Sequence, residues 1–169
     1  GLVVALIIYF SIKRQSAGTE LMRDIAEKIE IGAMAFLKSE YKVLAVFIVV
    51  VFGLLAAFIG IDTALAFLSG GICSILAGYF GMMAATKANV RTTEAARSSG
   101  QARALIVSFL GGSVMGLSVA SLGLIGVGIF FIYFGNYEHA EVLSGFAMGA
   151  SSIALFARVG GGIYTKAAD

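Results

Sequence analysis

Leu44-Ala-Val-Phe-Ile-Val-Val-Val-Phe-Gly-Leu-Leu-Ala-Ala-Phe-Ile-Gly-Ile61 carries no charge and no hydrogen-bonding side chain. A helix on the surface of a soluble protein needs a polar stripe, and this stretch has none at any azimuth. A bilayer core of about 30 Å asks for about 20 apolar residues in a helix, so the stretch reads as a membrane span. Working outward, Ala64 to Ala85, Ala104 to Phe134 and Val142 to about Ala157 read the same way. Gly1 to Ile12 is apolar but too short to cross alone. It begins without Met or a charged flank, and no small-residue cleavage site follows before Lys13, so it reads as the tail of a span rather than a signal peptide. The expected fold class is all-α, a polytopic transmembrane helix bundle of about five spans with long helix extensions into the cytoplasm. The expected boundaries are a partial first span at 1–12, a cytoplasmic helix at 19–42, and spans at about 43–61, 63–85, 104–134 and 141–169. Together these form the N-terminal membrane portion of a larger multi-span protein.

Composition agrees. The mean hydropathy is +0.96, with 59% hydrophobic and 13% charged residues, against about 45–50% and about 25% in soluble domains. A soluble domain, a disordered chain, a coiled coil and a disulfide scaffold are all excluded, the last because Cys73 is the sole cysteine. The net charge of +2 gives no case for a nucleic-acid partner.

The charges fall in blocks. Lys13 to Lys42 holds Lys13, Arg14, Arg23, Lys28, Lys38 and Lys42, and Lys87 to Arg103 holds Lys87, Arg91, Arg97 and Arg103. The end supplies Arg158 and Lys166. The links at Gly60 to Thr63 and Gly135 to Glu141 hold no Lys or Arg. If five spans alternate, every basic residue lies on one side, and the positive-inside bias makes that side the cytoplasm. The N-terminus then faces outside.

Glu20 to Tyr41 reads as a helix, with Leu21, Ile25, Ile29, Gly32 and Phe36 forming one apolar stripe. No breaker precedes the next span, so one long helix projecting beyond the bilayer is expected. A helix lying on the membrane surface is the alternative, disfavoured by five acidic residues facing anionic lipid. The polar, helix-compatible loop Thr86 to Arg97 reads either as a positive-inside anchor or as a surface approaching an anionic ligand. Gly112-x-x-x-Gly116, Gly145-x-x-x-Gly149, Ser151, Ser152 and Ala154 read as helix-packing surfaces. His139 has no metal-ligating partner and reads as incidental.

At the end of the last span the pattern breaks. Arg158 is followed by Gly160-Gly-Gly162, Thr165, Lys166 and Asp169. On a continuing helix, steps of seven and eleven residues place Arg158, Thr165 and Asp169 on one face, with Lys166 about 80° around. Arg158 then lies about 16 Å deeper than Asp169. Three helical glycines cost roughly 1 kcal/mol each relative to Ala, which close packing or close ligand approach would offset. An Arg within the apolar zone is a functional-site hypothesis; the competing reading is that Arg158 and Lys166 snorkel to the interface.

The run Phe156-Ala-Arg-Val-Gly-Gly-Gly-Ile-Tyr-Thr-Lys-Ala-Ala-Asp169 resembles the fifth helix of the membrane-integral, ion-pumping inorganic pyrophosphatases. Further agreement runs in the family's order through Gly18 to Glu27, Gly32 to Lys42, Ala88 to Arg97 and Gly111 to Val119, covering nearly the whole chain. The resemblance implies a homodimer of sixteen-span subunits, of which this chain supplies the first five, inactive alone. It implies Mg²⁺-dependent hydrolysis of pyrophosphate at the cytoplasmic face, coupled to outward pumping of H⁺ or Na⁺, with K⁺ required in some members. By motif, Lys166 would bind pyrophosphate, Asp169 would be a carboxylate of the Mg²⁺–substrate site, and Arg158 would belong to the ion gate below. The other function kept open is a non-catalytic membrane bundle or transporter scaffold, with Arg158, Lys166 and Asp169 as interface anchors.

Overall fold

Helix follows helix because nothing in the apolar runs interrupts them: the chain has no proline and no backbone strain at any described non-glycine residue. The computed structural model describes residues 1–134 and 140–168, and the side chains of 1–134 and 141–162. The elements are α1 (Leu2–Lys13), α2 (Glu20–Phe58), α3 (Ile61–Ser99), α4 (Gln101–Phe134) and α5 (Ala140–Ala168). Thr19 starts α2 by accepting the Met22 N–H at its Oγ1, 3.3 Å, satisfying one of the four amides a helix start leaves unpaired. Two single glycines make the tight reversals. Gly60 at φ 155 separates α2 from α3, and Gly100 at φ 86 separates α3 from α4; a side chain is strained in that conformation.

Among the described residues, four helices are long and apolar enough to cross a membrane. The twelve-residue α1 is shorter, as its run of apolar residues required. The helix expected at 19–42 and the span after it are one continuous α2. The polar stretch Lys87 to Arg103, helix-compatible by sequence, is helical apart from Gly100. It completes α3 and begins α4, with Gly100 alone between them, because no residue before that glycine breaks the hydrogen-bond ladder.

The chain divides into two units. The first comprises Gly1–Leu37 and Tyr79–Ala120. Its core is built of small residues: Ala5, Ile12, Ala84, Ala88 and Val114 are buried together. Gly111 lies close against Ala88, where an added Cβ would come within 2.6 Å of that methyl group. A satellite of Ala95, Ala104 and Val107 closes the α3–α4 turn. The stripe Leu21, Ile25, Ile29 is exposed here, and the buried residues of this part of α2 are Ala33 and Leu37. The four-residue spacing was read correctly, but the residues that pack lie around the helix from it.

The second unit comprises Lys38–Gly78 and Ser121–Asp169. Leu44, Ile48, Leu55, Ala64, Phe67 and Ile153 form its core, and the Tyr41 hydroxyl donates to the Ile75 carbonyl at 3.1 Å. α3 and α5 meet backbone to backbone. A Cβ on Gly145 would stand 2.7 Å from the Thr63 carbonyl oxygen, and Cβ atoms on Gly149 and Gly70 would overlap the carbonyls of Phe67 and Phe146. Gly145-x-x-x-Gly149 is therefore a packing motif, as expected. Gly112 and Gly116, with the same spacing, face open space, and Ser151 and Ala154 are exposed. Spacing marks a possible seam; the neighbours decide whether it is used.

The exteriors of both units are apolar. Phe109 of the first unit is 74% exposed and Phe58 of the second 83%. Such surfaces are unfavourable in water and suit hydrocarbon or further helices.

Candidate functional site

Among the described residues of the second unit, α5 carries the candidate chemistry. The helix continues without a break through Gly160–Gly162 to Ala168, so the glycines do not kink it. Phe156 turns toward α2, its ring 4.9 Å from that of Phe47. Arg158, two residues on, lies about 200° around the helix from Phe156 and so looks away from α2. Its side chain is exposed, and no described residue makes an ion pair with it. Cβ atoms on Gly161 or Gly162 would meet nothing within 4 Å. The backbone of Lys166 sits two turns beyond Arg158, about 12 Å along the axis; its side chain lies outside the described residues. Asp169, and His139 with its neighbours at 135–139, also lie outside them. The expected line of Arg158, Thr165 and Asp169 therefore meets the structure at its helical backbone through 168.

A second charged cluster belongs to the first unit, and sequence reasoning missed its partners. Arg91 on α3 donates from Nε to the Gln15 carbonyl at 3.1 Å, from Nη2 to the Lys13 carbonyl at 3.1 Å, and from Nη1 to the Lys87 carbonyl at 2.8 Å. A helix leaves its last carbonyls unpaired, so Arg91 caps the end of α1 from another helix. Burial pulls its pKa below the usual arginine value, opposed by Tyr9 and Glu30. Lys87 forms an ion pair with Glu30 of α2. Glu94 accepts from Arg97 Nε at 2.9 Å and Nη2 at 3.0 Å, and these bonds hold its carboxyl below the usual range. The cations Lys87, Arg91 and Arg97 are thus all engaged within the chain. No local signal announces pairings of residues 57 to 78 positions apart.

One groove of about 580 Å³ opens near the Gly60 turn, lined by Leu55, Phe58, Thr63, Glu141, Ser144 and Met148 among others. Its only charge is the acidic Glu141, so it offers nothing to a polyanion. Among the described residues no cluster of His, Cys, Asp and Glu could hold a metal ion, so these residues alone do not build a magnesium site.

Four helices of membrane-crossing length with apolar side chains turned outward define an integral, multi-pass membrane protein. Comparison with known families is then specific. The sequence model described as inorganic H+ pyrophosphatase matches residues 1–169, and the chain belongs to that family. It is 59% identical over 171 residues to a Clostridium tetani protein named "Putative K(+)-stimulated pyrophosphate-energized sodium pump", covering 99% of this chain and 25% of that protein. It is 46% identical over 162 residues to a K(+)-insensitive pyrophosphate-energized proton pump of Methanosarcina mazei, covering 94% of this chain and 23% of the relative. A K(+)-stimulated pyrophosphate-energized sodium pump of Thermotoga maritima is 40% identical over 181 residues, covering 95% of this chain and 25% of the relative. The chain spans about a quarter of the length of these curated relatives.

Proposed function

We propose that this chain is part of a membrane pyrophosphatase that couples Mg²⁺-dependent pyrophosphate hydrolysis to outward transport of H⁺ or Na⁺. The observation that carries the proposal is the family match over residues 1–169, joined to an α5 that stays helical across the glycine run and so carries the Lys166 backbone two turns beyond Arg158. Lys166 is the pyrophosphate ligand. An ammonium at a helix end projecting from the membrane balances phosphate charge as it redistributes during phosphoryl transfer. Asp169 is a carboxylate of the Mg²⁺–substrate site; Mg²⁺ prefers oxygen ligands and is held largely through substrate phosphates and one or two carboxylates. The remaining ligands belong to the longer protein. K⁺ dependence divides the relatives, and the chain matches members named for stimulation by K⁺ and members named for insensitivity to it.

Arg158, exposed toward the side away from α2, belongs to the ion gate beneath the substrate site and meets its carboxylate partners on helices outside these residues. The basic segments and the substrate end face the cytoplasm, with the N-terminus outside, following the positive-inside bias. The working protein is a homodimer in a lipid bilayer. In the full-length protein, Lys166→Ala should abolish most Mg²⁺-dependent pyrophosphate hydrolysis while membrane expression is retained. Unchanged hydrolysis would remove the ligand assignment. The scaffold reading predicts no hydrolysis in the wild type either.

A further inference from the structure

Within the first unit, the face of α3 that receives α1 can be followed residue by residue. Ala84 and Ala88 are buried in one cluster with Ala5 and Ile12 of α1. Three residues after Ala88, where α1 ends, Arg91 reaches the carbonyls of Lys13 and Gln15. Three residues further on, the buried Glu94 lies against Gly18, where an added Cβ would come within 2.9 Å of its Oε2. Steps of four, three and three keep these α3 residues on one side of the helix. The link at 14–19 between α1 and α2 therefore runs along α3.

The link is shaped to that path. Gly18 sits at φ 77, a left-handed conformation that glycine adopts without strain. Its N–H donates to Ser16 Oγ at 3.2 Å, and its carbonyl accepts from Arg23 Nη2 at 3.2 Å. Glu94 is held in turn by Arg97, and the Lys87–Glu30 ion pair ties the first half of α2 to the same stretch of α3. At the α1 end, the amides of Arg14 and Gln15 donate to the Phe10 and Ile12 carbonyls at 3.2 and 2.9 Å. Lys13 and Arg14 are exposed, yet the peptide groups around them are bonded, the amides to α1 and the carbonyls of Lys13 and Gln15 to Arg91. A protease that recognises those side chains must first draw the backbone out, which requires local opening.

We propose that the 14–19 link is a strap latched onto the polar end of α3 at two points, Arg91 at the α1 end and the Gly18–Glu94 contact at the α2 end, and that it opens as one piece. Only two residues separate Gln15 from Gly18, so a strap freed at one point keeps a single contact to hold its turn. Neither the latch nor its test depends on the function proposed above.

Limited trypsin digestion of the detergent-solubilised full-length protein tests this, because trypsin cuts after Lys and Arg and the strap begins with both. The wild type should be cut slowly after Lys13 and Arg14. Arg91→Ala removes two charged hydrogen bonds to the strap and should speed those cuts about tenfold or more, since cleavage follows the population of the open form. Gly18→Ala leaves Arg91 in place and strains only the other end, yet it should also speed cleavage after residues 13 and 14. Lys28→Ala, which removes the exposed pair with Asp24, should change nothing there. The position of the cuts separates a released strap from general unfolding: the bond after Lys87, inside α3, should stay intact in both latch variants. Wild-type cleavage as fast as that of Arg91→Ala would overturn the proposal. So would a Gly18→Ala variant with no effect after residues 13 and 14, or cuts after Lys87 that appear in step with those in the strap.

Discussion

Arg91 holds three backbone carbonyls, two of them at the end of a helix 76 and 78 residues away in sequence. Hydrogen bonds from a charged donor contribute more than neutral ones, and leaving carbonyls unpaired costs further. Arg91→Ala should therefore destabilise the protein by about 2 kcal/mol, read as a lower midpoint in thermal unfolding of the detergent-solubilised protein. Arg91→Lys should recover little, since one ammonium does not reproduce the guanidinium fork. Glu94 gives a pH prediction. Its folded pKa is depressed by Arg97, so its contribution is present above the usual carboxylate range and lost as pH falls through the depressed value. Glu94→Gln should flatten that acid limb of the stability profile and leave the neutral-to-alkaline limb unchanged. From the sequence, Arg158 stood out because an isolated cation follows an apolar run. Arg91 did not, because it sits in a polar segment among other charges and its partners are far away in sequence.

At the scale of helices, spans and reversals follow directly from hydropathy and glycine. The length of α2 was legible because no breaker interrupts residues 20–58. The segment up to Ser99 was legible as helix-compatible, but not that it continues α3 without a break, since polarity marks the end of the apolar run and not the end of the helix. Which part of the α2 stripe packs was not legible from periodicity. Leu21, Ile25 and Ile29 are exposed, whereas Ala33 and Leu37, the next residues at the same four-residue spacing, are buried. The two Gly-x-x-x-Gly motifs yield a matched prediction. Gly149→Ala forces a methyl into the Phe67 carbonyl and should cost about 1–3 kcal/mol by overpacking. Gly112→Ala enters open space and should be neutral or stabilising, by at most about 1 kcal/mol of helix propensity. Thermal midpoints of the two variants check both.

For the molecule as a whole, the proposal rests on one helix, α5, that is long and apolar enough to cross a membrane and carries Arg158 and, two turns further on, Lys166. Geometry of this kind suits a protein in which chemistry on a polyanion outside the membrane must be felt by an ion pathway inside it. The membrane class was legible from composition alone, and the family from the run Phe156 to Asp169. No ion-pair partner of Arg158 was legible in the sequence, and none stands among the described residues. The most direct test is pyrophosphate-driven ion transport by the full-length protein in sealed, inward-facing-out vesicles. Magnesium pyrophosphate should generate a cation gradient in the wild type, none in Lys166→Ala, and in an Arg158→Ala variant that still binds substrate, hydrolysis with a diminished gradient. A gradient undiminished by loss of Lys166, or pyrophosphate hydrolysis by the wild type with no gradient at all, would contradict the account.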